Sequence, residues 1–157
     1  MFPLTFLGTM LALTALAVGF NLLARARRRA KLSKLAAQWG MRYVGRDPFH
    51  LAAKVSAQFP LPGAADVTII DLIYGSEPGR HRYLFTVHYT QGVVRAKNRR
   101  RRVATFSEPR DAEGAEMNEG SGVGALLLAP ENLSITQQYV HLREMLAGAE
   151  VAGAVEG

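Results

Sequence analysis

The amino-acid sequence predicts a membrane-anchored α+β protein: an N-terminal transmembrane helix, then a small domain with a mostly antiparallel four- or five-stranded sheet packed against helices. Three observations carry this expectation. Phe2 to Ala24 holds no ionisable side chain. Residues 65–107 contain runs of period-two alternation broken by turn residues. Apolar residues at helical spacing stand on both sides of those runs, at 32–39 and 135–146.

The apolar run sets the expected location. At about 1.5 Å per residue it reaches roughly 34 Å as a helix, against a hydrocarbon core of about 30 Å. A cleaved signal peptide is the rival reading, but it wants positive charge before the apolar run. Here the charge follows, in "RARRRAKLSK" at 25–34. Arginines that flank a span tend to stay in the cytoplasm. The expected topology is therefore a single pass through a bacterial inner membrane, with the amino terminus outside and residues 25–157 inside. Gly8 and Ala12, and Ala15 and Gly19, have the small-xxx-small spacing compatible with a helix-packed homodimer. The expected organisation is a span over 1–24, a basic juxtamembrane segment over 25–34, the α+β domain over 35–148 and a flexible tail over 149–157.

Within the domain, Leu32, Leu35, Ala36 and Trp39 form one apolar helical stripe, and Gly40 suits the left-handed residue after a helix end. Trp39 reads as a core anchor. "MRYVGR" (41–46) reads as a short strand. "DPFHLAAKVSAQF" opens a helix with Asp47 as N-cap and Pro48 at the first helical position, closed by Pro60 and Pro62. In "ADVTIIDLIYG" both faces are largely apolar, and Asp71 interrupts the alternation. "SEPG" (76–79) is a turn. "RHRYLFTVHYT" then places Tyr83, Phe85, Val87 and Tyr89 on one face, and Leu84, Thr86, His88 and Thr90 on the other. "RRVATFS" reads as its antiparallel partner and "VGALLLAP" (123–130) as one more strand. Ser134 and Gln137 have capping-box spacing before a helix with the stripe Ile135, Tyr139, Leu142 and Leu146, stopped at Gly148. Residues 108–122, acidic and glycine-rich without periodicity, read as a mobile loop.

These segments together ("LAAQWGMRYVGRDPFHL", "FPLPG", a strand ending "YG", "LFTVHYT" and "LLLAPENL") resemble a group of uncharacterised membrane-anchored bacterial proteins. Members share a short anchor and a small α+β domain of unknown function. The resemblance covers most of residues 35–147 and rests on apolar pattern and turns. It implies the topology, and it supplies no activity and no site residues.

The chemistry-bearing residues give no enzyme signature. The chain has no cysteine, which excludes disulfides, thiol nucleophiles and thiolate metal sites. His50, His81, His88 and His141 lack metal-site spacing. "GSGVGA" (120–125) fits G-x-G-x-x-A, but an acidic loop precedes it and a strand follows, the reverse of a dinucleotide site. No Walker lysine follows a glycine loop. Asp71, inside an apolar strand, needs a partner, and a nearby arginine is the expected one. We therefore expect no catalytic residue, no cofactor and no metal.

Charge is the informative feature. The net charge is +6 and the pI near 10.1, with arginine outnumbering lysine 15 to 4. A GC-rich genome produces that bias without function, and net charge bears on association and not on fold. Two clusters concentrate it: Arg25, Arg27, Arg28 and Arg29 after the span, and Arg95, Lys97, Arg99, Arg100, Arg101 and Arg102 on one hairpin. Three roles are open for the hairpin. It is a solvated tip that blocks edge pairing and meets the acidic loop, or it lies against anionic lipid, or it binds nucleic acid or an acidic protein. The absence of aromatic platforms at the tip argues against nucleic acid. The expected work is non-catalytic scaffolding or interaction at the membrane face, with an unidentified protein partner, and both arginine clusters near lipid headgroups.

Overall fold

The computed structural model describes residues 2–92, 98–109 and 125–155. Its elements run α1 (Phe2–Gln38), β1 (Arg42–Arg46), α2 (Leu51–Ala57), β2 (Ala64–Glu77), β3 (Arg80–Gln91), β4 (Asn98–Pro109), β5 (Ala125–Leu128) and α3 (Ile135–Val155). The five strands form one sheet in sequence order, every neighbour antiparallel. This is the expected α+β class with the expected strand direction.

α1 is a single helix of 37 residues that joins the apolar run to the domain without a break. It is long and apolar enough to cross a membrane, and its most apolar stretch is not buried among the described residues. The far end does pack. Leu32 and Ala36 are buried, and Leu35 and Trp39 close over them, as the stripe predicts. The helix then ends in a Schellman arrangement. Gly40 takes φ 67°, its N–H donates to Ala37 O at 3.1 Å, and the Met41 N–H donates to Ala36 O at 2.8 Å.

The sheet is covered on both faces. One face carries Tyr83, Phe85, Val87 and Tyr89 of β3 beneath α2, with Leu51 and Val55 fully enclosed. The opposite face carries Ile73, Leu84 and Val103 beneath α1 and α3. The alternation read from β3 is thus the true division between two cores.

β2 divides its residues less simply. Between Ile70 and Ile73 the pairing with β3 slips, so that Asp71 and Leu72 together stand opposite Phe85. Asp71 adopts φ 52°, a left-handed conformation that Asp tolerates better than most residues. The bulge inverts the side-chain parity after residue 71. Leu72 joins Ile69 in one core, and Ile73 points into the other.

Several boundaries differ from expectation. α2 begins at Leu51 and not at Pro48, because His50 turns left-handed at φ 54°. Asp47 still serves the helix start: its carboxylate accepts the Ala52 N–H at 2.9 Å and the Phe49 N–H at 3.1 Å. The β2–β3 turn is only Pro78–Gly79, with Glu77 already paired to Arg80. Proline followed by a glycine at φ 76° is the pattern of a type II turn. α3 continues through Gly148 to Val155, so glycine does not stop it. Its capping box is as read: the Ser134 N–H donates to Gln137 Oε1 at 3.0 Å, and the Gln137 N–H to Ser134 Oγ at 3.4 Å. The expected mobile loop lies outside the described residues except for Glu108 and Pro109, which belong to β4, and so do the last two residues of the tail.

Candidate functional site

The arginine run is not a turn. Asn98 to Arg102 form the first part of β4 and pair residue by residue with Gln91 to Val87. Paired residues share a face, so Arg99 and Arg101 stand on the face of Thr90 and His88, beneath α1. Arg100 and Arg102 belong to the other face. Arg102 folds across the sheet edge, where its Nε and Nη2 donate to Ala129 O at 3.1 and 2.6 Å. It is therefore a structural residue that closes the strand end before α3. Exposed Glu131 sits 3.7 Å from Arg102 and 3.8 Å from Arg100, a separation worth little in water. Arg95 and Lys97 lie outside the described residues.

The juxtamembrane arginines meet this strand. Asn21, Ala24, Arg25, Arg28 and Arg29 of α1 face Arg99, Arg100 and Arg101 of β4 across a cleft of about 770 Å³. Its floor is Gly45, Thr68, Ile70, Asp71 and His88. Arg27 does not line it and is exposed on another side of α1. Six arginines thus contribute to a lining whose one carboxylate is Asp71, although the Arg100 side chain stands on the opposite face of β4. The two clusters read separately from the sequence are the two walls of one site.

Asp71 anchors the floor. Arg28 Nη2 forms an ion pair with its Oδ2, and Tyr43 Oη donates to Oδ1 at 2.7 Å. The side chain is only 8% exposed, so the pair is largely withdrawn from water. The Asp71 backbone is held as well: Tyr139 Oη donates to its carbonyl at 2.5 Å. Thr86 Oγ1, 3.0 Å from the same phenol oxygen, must then act as the donor to it. Burial raises the pKa of both tyrosines, and the Asp71 charge raises it further. Both stay protonated donors at neutral pH. The bulge residue, β1, α1 and α3 are therefore locked together at one point, and the expected arginine partner of Asp71 is Arg28.

His88 is the second floor residue. Burial lowers its pKa from the ordinary value of 6.5, and the charges of Arg99, Arg28 and Arg101 lower it further against an opposing pull from Asp71. It is neutral at pH 7. Its Nε2 is buried without a hydrogen-bond partner, and so is Nε of Arg28. Two orphaned polar atoms thus belong to residues of the same cleft.

Sequence reading missed Tyr43 and Tyr139 as Asp71 ligands and set His88 aside. The available signal was Asp71 itself, because a break in strand alternation marks a bulge. Among the described residues no group of His, Asp or Glu is placed to hold a metal ion. A second ionic cluster, Glu77 with Arg82 and Arg143 at 2.9 Å each, clamps α3 to the opposite end of β2 and β3.

No family model, curated protein or solved structure matches the chain.

Proposed function

We propose that the chain is a non-catalytic, single-pass protein of the bacterial inner membrane, with its amino terminus outside and its α+β domain cytoplasmic. It scaffolds or recruits a protein partner at the membrane face, and its arginine cleft rests against anionic headgroups. The observation that carries this reading is the shared lining of one cleft by Asn21 and Ala24, at the end of the apolar run, and by Arg99 to Arg101. The strand arginines stand beside the part of α1 where a membrane would give way to water. Each cation near an anionic leaflet adds about 1 kcal/mol of attraction. The α1 anchor removes the cost of bringing the domain there. Nucleic acid is the weaker alternative, because among the described residues no Phe, Tyr or Trp lines the cleft to stack a base.

An enzymatic reading draws on the convergence of Asp71 and His88 on one cleft. It loses ground because both Asp71 oxygens are already engaged by Arg28 and Tyr43. Release of inorganic phosphate from an added phosphate ester, lost in His88→Asn, would revive it.

The test is amide hydrogen exchange on the full chain in nanodiscs. Residues 98–101 gain protection when neutral lipid is replaced by anionic lipid, and Arg99→Gln/Arg100→Gln/Arg101→Gln loses that gain. Equal exchange in both lipids would defeat the proposal. Arg102 is left intact in this set because it supports Ala129.

A further inference from the structure

We propose that the arginine cleft is a single binding site for a phosphate monoester dianion, presented by a lipid headgroup or by a free phosphate ester. This rests on the membrane-face reading and gives it a ligand.

Asp71 neutralises only Arg28, and the Glu131 carboxylate stands 3.8 Å from Arg100 and is itself 54% exposed. Arg25, Arg29, Arg99 and Arg101 line the same walls, and among the described residues no carboxylate stands within ion-pair distance of them. Like charges converging on one cleft destabilise the fold unless an anion occupies it. A monoanionic diester leaves most of that charge uncompensated. A monoester dianion carries three terminal oxygens, each able to accept from the planar donor fork of a guanidinium.

Hydrogen-bonding capacity points the same way. Buried polar atoms in native proteins are normally satisfied. Arg28 Nε is an obligate donor, buried and unpartnered, and His88 Nε2 is buried and unpartnered too, a donor in the Nε2–H tautomer. His88 is held neutral, so its imidazole still carries one N–H for an anion. The residues that carry the two orphans line the same cleft as Arg25, Arg29, Arg99 and Arg101, so a small local shift would bring both atoms to an anion bound there. At about 770 Å³ that volume exceeds what a lone phosphate needs and has room for the glycerol or sugar that bears it. The lipid source is favoured by the wall itself: Asn21 and Ala24 directly follow exposed Phe20 and Leu23, where acyl chains would run.

The test is native mass spectrometry of the full chain released from uncharged detergent, titrated with phosphatidic acid, phosphatidylglycerol or phosphatidylcholine. The expected result is one phosphatidic acid per chain, preferred about tenfold or more over the diester. Arg99→Gln/Arg101→Gln abolishes the preference. Arg80→Gln, an exposed arginine at the far end of β3, leaves it intact. Competition by soluble glycerol phosphate at similar concentration assigns the site to free esters, and its failure to compete assigns the site to the lipid; either supports a dianion site. Equal and multiple binding of both anionic lipids would overturn the site while leaving the membrane-face reading standing. No preference for any anionic lipid over phosphatidylcholine would overturn both.

Discussion

Arg28→Met tests the framework that holds the cleft together. The substitution keeps the length and apolar stem of the side chain and removes the cation that faces Asp71. Removing one partner of a buried ion pair costs about 3–5 kcal/mol, because the remaining charge is left without compensation. Arg28 is 24% exposed and Asp71 8% exposed, and the Tyr43 hydroxyl still donates to the carboxylate. Those facts place the cost at or below the bottom of that range, at about 2–3 kcal/mol. For a folded unit of this size each kcal/mol shifts the melting midpoint by roughly 4–8 °C, so a fall of about 10–20 °C is expected. Thermal unfolding of the full chain in uncharged detergent, followed by the fluorescence of half-buried Trp39, reads it. Asp71→Asn preserves the left-handed backbone, which Asn tolerates, and discards the charge. Arg28→Met/Asp71→Asn should therefore melt higher than Arg28→Met alone, with a coupling energy of about 1–2 kcal/mol. A double variant no more stable than Arg28→Met, or a single variant within about 3 °C of the parent, contradicts a buried compensating pair.

Further outcomes follow from the same geometry. His88 has a folded pKa below its unfolded value of 6.5. The unfolded chain therefore takes up the proton first, and the stability this group contributes is intact above pH 6.5 and lost as pH falls below it. NMR titration of the imidazole should give a midpoint under 6.5 that climbs in Arg99→Gln/Arg101→Gln; an unchanged midpoint would mean those charges do not reach it. Gln138→Leu removes the amide that accepts the buried Val103 N–H at 2.9 Å and donates to Leu133 O at 2.8 Å. Chemical denaturation should show a loss of about 1–3 kcal/mol, as for an orphaned buried donor. Gly40→Ala forces a β-carbon into φ 67° and should lower stability by about 1 kcal/mol in the same assay, although nothing stands within 4 Å to clash. Because the chain has no cysteine, Asn98→Cys offers a unique thiol. On the proposed topology, a membrane-impermeant reagent labels it only after the membrane is opened, and labelling of intact cells would contradict that topology.

The legible parts of the fold were those governed by periodicity. The α1 stripe, the faces of β3 and the α3 capping box each need only the spacing of a few residues, and each stands as the sequence implies. Ends governed by single backbone conformations were not legible. Nothing in "DPFHL" announces that His50 turns left-handed and delays α2 to Leu51. Glycine commonly closes a helix, but it closes α1 at Gly40 and lets α3 pass at Gly148. The site was half legible. Both arginine clusters and the need of Asp71 for a cation are visible in sequence. Their convergence on one cleft depends on α1 packing over β1 and β2 so that its arginines face the start of β4, a tertiary fact with no local signal. The bulge at Asp71 hid the ligands further, because it shifts every β2 residue beyond it to the other face.

The central claim is that the end of the sheet bearing Arg99 to Arg101 lies against the headgroups. A nitroxide on Asn98→Cys, compared with one on Arg80→Cys at the opposite end of the paired strands, measures this in nanodiscs whose lipid headgroups carry a paramagnetic chelate. Strong relaxation of the label at 98 and weak relaxation at 80 are expected. Equal relaxation, or the stronger effect at 80, would place the arginine cleft away from the membrane and contradict that claim.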